Sequence, residues 1–161
     1  MNIFVLDNNP KTAAQMMCDK HVVKMIVESG QMLSTTHRVL DGEMFYGRTK
    51  NNRRIKRWKL TDEREDKLWK ASFVNHPCTR WTMESIQNYS WHVEHALELC
   101  YEYTRRYGKV HSSQQLIEYF HLNSPKNIKD IGLTKFAVAM PDEYKVDCSV
   151  ESYRNYYKGA K

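Results

Sequence analysis

Apolar residues recur at helical spacing along most of this chain. Val22, Ile26 and Leu33 fall on one side of a stretch that opens at Asp19, and the period predicts a long helix over 19–40. Gly30 lies inside it and Asp41-Gly42 closes it. A glycine within a helix costs about 1 kcal/mol relative to alanine, so Gly30 marks a close backbone approach or a break. Upstream, Asn2 to Leu6 form a short apolar run, a single strand or a buried extended arm. Asp7, Asn8 and Asn9 before Pro10 predict the start of a short helix reaching about Met17. Thr61 caps a further short helix to Phe73, with Glu63, Glu65 and Asp66 in its first turns. Pro77 opens the second long helix, about 30 residues to Tyr107, which Gly108 ends. Trp81, Met83 or Ile86, Tyr89, Val93, Leu97, Cys100 and Thr104 supply its inner stripe. Ser112 or Ser113 caps a helix to about Phe120. Residues 122–148, with Pro125, Gly132 and Pro141, are irregular and long enough to wrap the core or line a site. Ser149 caps a last helix to about Lys158 that carries Tyr153, Tyr156 and Tyr157. The pattern is all-α: one compact helical domain with two long helices, a short N-terminal extended arm and a long wrapping loop.

Length agrees with a single domain over residues 1–161. Charge adds a location. Arg48, Lys50, Arg53, Arg54, Lys56, Arg57 and Lys59 fall within twelve residues that hold no acid. Those seven removed from 25 Lys and Arg leave 18, against 19 acids, so the net +6 is a patch. A patch of this kind points to a polyanionic partner, DNA or a nucleotide. The stretch lacks apolar periodicity and contains Asn51-Asn52, which predicts a flexible basic loop over 48–59. No apolar run reaches the roughly 18 residues of a membrane span, and the first residues lack the basic start of a signal peptide. A cytoplasmic protein with no membrane partner is expected; the oligomeric state is left open. Four scattered cysteines read as reduced thiols. Cys18-x-x-His21 and His76-x-Cys78 supply four ligating side chains, but at no recognised zinc spacing, so no metal or cofactor is expected.

Two places carry candidate chemistry. His21 and Glu28, seven residues apart, share a helix face, and Gln31 and Thr35 extend the stripe. A histidine and a carboxylate facing one space can orient a proton, hold a metal or steady a cation. The second place is the turn before Pro77, where free backbone N–H groups together with His76 and Arg80 make a natural anion site, and His76, Arg80 and Gln31 are taken as pocket residues.

Cys18-Asp19-Lys20-His21 followed by Glu28 resembles the first helix of the small phage-type pyrimidine-dimer DNA glycosylases (the endonuclease V type), which carry Asp-x-His with a catalytic Glu at the same distance. Tyr153-Arg154-Asn155-Tyr156-Tyr157-Lys158-Gly159 is similar to their aromatic C-terminal stretch, and Arg106-Tyr107-Gly108 to the end of their long central helix. The resemblance implies a DNA glycosylase and abasic-site lyase acting on damaged or modified pyrimidines. An amine attacks C1′ of the nucleotide, the base leaves, and the Schiff base permits strand cleavage. An α-amino group suits this because it is partly neutral near pH 8. The resemblance casts Glu28 as the catalytic carboxylate, His21 as a shaping residue, and Tyr153, Tyr156 and Tyr157 as aromatics near DNA. The family's amine is freed by loss of the initiator methionine. Here residue 2 is Asn, whose bulk leaves Met1 in place, so the α-amine of Met1 is one candidate nucleophile and Lys24, one turn before Glu28, is the other. Val27 and Gln31 stand where the family has arginines that grip the dimer. The basic residues Arg48 to Lys59, with Arg80, Tyr153 and Tyr156, are the expected nucleic-acid contacts. Two further readings stay open: a transferase in phage thymine hypermodification, and a non-catalytic nucleotide- or DNA-binding protein.

Overall fold

A computed structural model describes residues 1–160. The chain runs through α1 (Pro10–Gln15), α2 (Asp19–Asp41), β1 (Glu43–Arg48), β2 (Arg54–Lys59), α3 (Arg64–Lys67), α4 (Pro77–Glu84), α5 (Ile86–Tyr107), α6 (Gln114–Leu122) and α7 (Ser149–Ala160). It is mostly helical. Helices α2 and α5 pack together at the centre, with α1, α4 and α6 against α5. Their seam is formed by Val22, Ile26, Met32, Leu33, Tyr89, Val93, Ala96 and Cys100, all essentially without solvent contact. No helix among the described residues is long and apolar enough to cross a membrane.

Gly30 meets the expectation of a close approach. A Cβ added there would lie 2.7 Å from Cζ3 of Trp69, so the indole packs directly on the α2 backbone.

The structure differs from the all-α expectation at 43–59. The basic stretch is no flexible loop; it is the last residue of the first strand, the turn and the second strand of an antiparallel hairpin, paired from Glu43↔Lys59 to Arg48↔Arg54. Asn51-Asn52 is its turn. Asn52 sits in the left-handed region at φ +58°, and Thr49 N donates to Arg53 O at 2.9 Å. Asparagine tolerates that region better than most side chains. The alternation was hard to read because arginine and lysine occupy both faces, so no apolar period marks the strand.

The second long helix is broken at Ser85, which is extended at φ −155° and ψ 158°. Its hydroxyl accepts from Asn88 N at 3.0 Å to start α5, and Ile86 N turns aside to Lys129 O at 2.7 Å. The helix expected over 61–73 shrinks to a single turn. Arg38 is the reason: its guanidinium donates to the carbonyls of Trp58, Glu65, Leu68 and Trp69, anchoring that segment in irregular form on α2. Beyond α6, residues 123–148 hold only one 3-10 turn, Asp142–Tyr144, and strap across the N-terminal arm before α7 begins.

Candidate active site

The first six residues form no regular element, yet residues 2–6 are buried. Asn2, the one polar residue in that run, explains how. Its Oδ1 accepts from Ile3 N at 2.8 Å and Phe4 N at 3.1 Å, and its Nδ2 donates to Ala139 O at 2.7 Å. One side chain thus satisfies two arm amides and ties the arm to the strap. Phe4 then turns the backbone at φ +57°, a region costly for a bulky residue, and Leu6 N closes a tight turn on Phe4 O at 2.9 Å. Packing holds the strained residue: the Phe4 ring stacks on His21 with centroids 4.3 Å apart and meets Tyr153, Tyr156 and Tyr157. From α7, Arg154 Nε donates to Leu6 O at 2.8 Å, and its Nη2 pairs with Asp7 at 3.0 Å.

An arm fixed this way delivers the chain's α-amine to α2. The Met1 nitrogen lies 3.7 Å from Oε1 of Glu28, and the Met1 side chain packs against the core. Oε2 of Glu28 is buried without a hydrogen-bond partner. An unpaired buried carboxylate oxygen is costly, by about 1–3 kcal/mol or more, and such a group beside an amine is ready for an incoming polar atom. His76 completes the cluster. As the N-cap of α4, its Nδ1 accepts from Cys78 N at 3.1 Å, which fixes that nitrogen as the acceptor and leaves the proton on Nε2. Its ring is also hydrogen-bonded to the Met1 backbone. Burial, and then the positive charge of the Met1 amine, push the imidazole below its ordinary pKa, opposed by the Met1 hydrogen bond and by Glu28. The result is a neutral imidazole beside an amine and a carboxylate.

Amine, carboxylate and neutral imidazole, brought from three separate segments, are a set that can form and resolve an imine. Residues 1–116 match the family described as pyrimidine dimer DNA glycosylase. The chain belongs to this family. Neither the curated proteins nor the solved structures contain a match. The matched segment of this pyrimidine dimer DNA glycosylase homologue holds Met1, Glu28 and His76, whereas the strap and α7, which pin the arm, lie beyond it.

Other candidate residues lie elsewhere. His21 has Phe4 and the Tyr157 hydroxyl as partners, the latter 2.5 Å from Nδ1, so it shapes the bed of the arm. Lys24 is exposed, without the burial that its role as nucleophile requires. Gln31 is half-buried one turn beyond Glu28. Arg80 is exposed and borders a shallow recess of about 290 Å³ with Val39, Val74, Asn75, Met83 and Glu84, outside the Met1–Glu28–His76 cluster. The anion site expected at the start of α4 is partly spent, because His76 already takes the Cys78 N–H. Tyr153 is corrected most plainly. It is fully buried, its hydroxyl donating to Ala137 O at 2.7 Å, so it stacks on no base. Tyr156 is half-buried against Phe4 and Tyr144. Arg48, Lys50, Arg53, Arg54, Lys56 and Lys59 are exposed, while Arg57 is half-buried and donates to Ala71 O at 2.7 Å. Among the described residues, no group of three or more His, Cys, Asp or Glu converges as a metal site. Cys18 sits by Tyr157, and Cys78 is buried beside Asn2.

Asn2 is the functional residue that sequence reasoning missed. A lone amide in the run Asn-Ile-Phe-Val-Leu was the available signal, since a buried polar side chain must find partners.

Proposed function

We propose that this chain is a DNA glycosylase with abasic-site lyase activity on damaged or modified pyrimidines, with the α-amine of Met1 as nucleophile. The observation that carries this reading is the 3.7 Å approach of the Met1 nitrogen to Glu28 in a buried setting. The target nucleotide is flipped from the duplex. The neutral amine forms a bond to C1′, and the C1′–N bond to the base breaks, its electron pair leaving with the base, which takes up a proton. Glu28 steadies the cationic sugar as this happens and accepts the proton the amine sheds. The sugar ring opens to give an imine between Met1 and C1′. Loss of a proton from C2′ then expels the 3′ phosphate by β-elimination, and water releases the amine. His76, neutral and held by Cys78 N, is placed to relay protons at the imine. The exposed bases of the hairpin meet the phosphates.

Borohydride reduction on abasic-site DNA tests this directly. The wild-type chain should give a covalent adduct, and peptide mass spectrometry should put it on Met1. Glu28→Gln should slow adduct formation at least about 100-fold, the usual scale for losing a general acid–base group, with the fold intact. An adduct on Lys24, or none, refutes the assignment.

A further inference from the structure

Phe73 is the most exposed aromatic residue among the described residues, 56% in solvent, and its ring stays outside the core. Its backbone also stands in the left-handed region, at φ +52°, which is costly for a bulky side chain. Phe4, at φ +57°, is the contrast: there the ring is buried against His21 and its packing holds the bend. A ring in water contributes nothing of that kind, so the bend at Phe73 is imposed by its neighbours. Arg57 Nη1 donates to Ala71 O at 2.7 Å. Ser72 N donates to Thr35 Oγ1 at 3.0 Å, and that hydroxyl donates back to Ser72 O at 2.9 Å. On the other side, His76 N donates to Phe73 O at 3.1 Å. The chain is pinned before and after a bend that glycine would adopt with less strain, yet the side chain presented there is a phenyl ring.

The two pins place the ring. Thr35 follows Glu28 by seven residues on the same face of α2, two turns or about 10 Å along the axis. His76 belongs to the cluster itself, its ring hydrogen-bonded to the Met1 backbone. Phe73 is therefore held on a short bridge from the Glu28 stripe to the imidazole, beside the amine. Its surroundings are cationic. Lys70, three residues before it, is exposed. So is Arg80, in the recess shared with Val74 and Asn75, the two residues that follow Phe73. Glu84, the acid of that recess, accepts from the Thr134 hydroxyl at 2.6 Å. An apolar ring between cations fits a partner with an apolar interior and an anionic rim, which describes the stacked bases and phosphates of DNA.

We propose that Phe73 is a wedge: its ring enters the base stack of duplex DNA in the gap left by the nucleotide drawn to Met1, and stacks on the bases that border the gap. Taking a nucleotide out of the stack exposes the base faces on either side of it, and an apolar side chain inserted there covers them. A ring already fixed in position loses little freedom on insertion, which is what the pinned bend supplies. Lys70 and Arg80 meet flanking phosphates. This rests on the glycosylase reading for where the gap lies, but the insertion itself needs no catalysis.

The test is equilibrium binding to a duplex with a central tetrahydrofuran abasic analogue, which forms no imine, and to the same duplex intact. The analogue offers a ready gap, so the wild-type chain should prefer it. Phe73→Gly should melt within about 3 °C of wild type, since relieved strain offsets the extra freedom of the unfolded chain. It should weaken binding to the gapped duplex at least about 10-fold, the scale of one lost aromatic–base stack, and change binding to the intact duplex by less than about 3-fold. Its slope of log K against log salt should match wild type, because no charge is removed. Phe73→Asn, which also tolerates the bend, should behave in the same way. Phe73→Tyr should keep the wild-type preference. Equal weakening on both duplexes, an undiminished preference for the gap in Phe73→Gly and Phe73→Asn, or a wild-type chain without that preference would overturn the proposal. A wild-type chain whose preference depends on Phe73 but which yields no borohydride adduct would sink the catalytic reading and leave this one standing.

Discussion

Replacing Asn2 with leucine isolates the device that holds the amine. The two side chains are close in size, and leucine is likewise bulky enough to leave Met1 in place. The change therefore removes hydrogen bonds without opening a large cavity or moving the N-terminus. It strands Ile3 N, Phe4 N and Ala139 O, bonded in the wild type at 2.8, 3.1 and 2.7 Å. A buried group left unpaired costs about 1–3 kcal/mol, and the gain from burying leucine offsets part of three such losses, for a net of about 3 kcal/mol. In a domain of this size that lowers Tm by about 6–12 °C. Taken up wholly by local release of the arm, the same loss lowers the docked fraction by up to about 100-fold, since about 1.4 kcal/mol is a factor of ten. Borohydride trapping should slow by up to that factor, and a circular dichroism melt reads the stability term. Intact mass checks that Met1 remains. A variant that melts within about 2 °C of wild type and traps at the wild-type rate would refute the claim that Asn2 pins the nucleophile.

Acid should destabilise the protein before its carboxylates titrate. Burial pushes His37 down to about 4, and His92 and His95 down to about 3. In the unfolded chain each takes a proton near pH 6.5, so between there and 3–4 the unfolded state binds more protons and stability falls with pH. At pH 5 the upper bound is about 2 kcal/mol for each histidine, whereas Asp62, held at about 2 by Arg64, begins to cost stability only below about 3.8. Melts from pH 7.5 to 4.5 should show this loss, and His95→Leu, which removes an imidazole with neither nitrogen bonded, should flatten it. Arg64→Met should cost about 1–3 kcal/mol, because Asp41 loses the guanidinium now 2.6 Å away and keeps only the Lys126 and Asn127 amides, and urea denaturation measures it.

Helix α2 and its Glu28 were legible because a helix is a local object: Val22, Ile26 and Leu33 define one side and Glu28 another within a few turns. The same logic misread 77–107 as one helix. Ser85 is a good cap, but the break depends on Lys129 O receiving the Ile86 amide, a partner more than forty residues away. The resemblance casts Tyr153 and Tyr156 as aromatics near DNA, but a sequence does not tell a tyrosine with a buried carbonyl partner from one facing DNA; the contacts with Phe4 and Ala137 decide it.

Sequence alone determined the helical body, the basic cluster at 48–59 and the place of the carboxylate on α2, since each is written in short-range periodicity or in the charge of neighbouring residues. Tertiary structure decided where the amine goes. Met1 reaches Glu28 because Ala139, Arg154 and the rings around Phe4, all but one of them distant in sequence from the arm, hold residues 2–6 in a strained path that no local preference favours. It also gave the basic cluster its form, as pairing with 43–48 turned an apparent loop into a two-stranded ribbon.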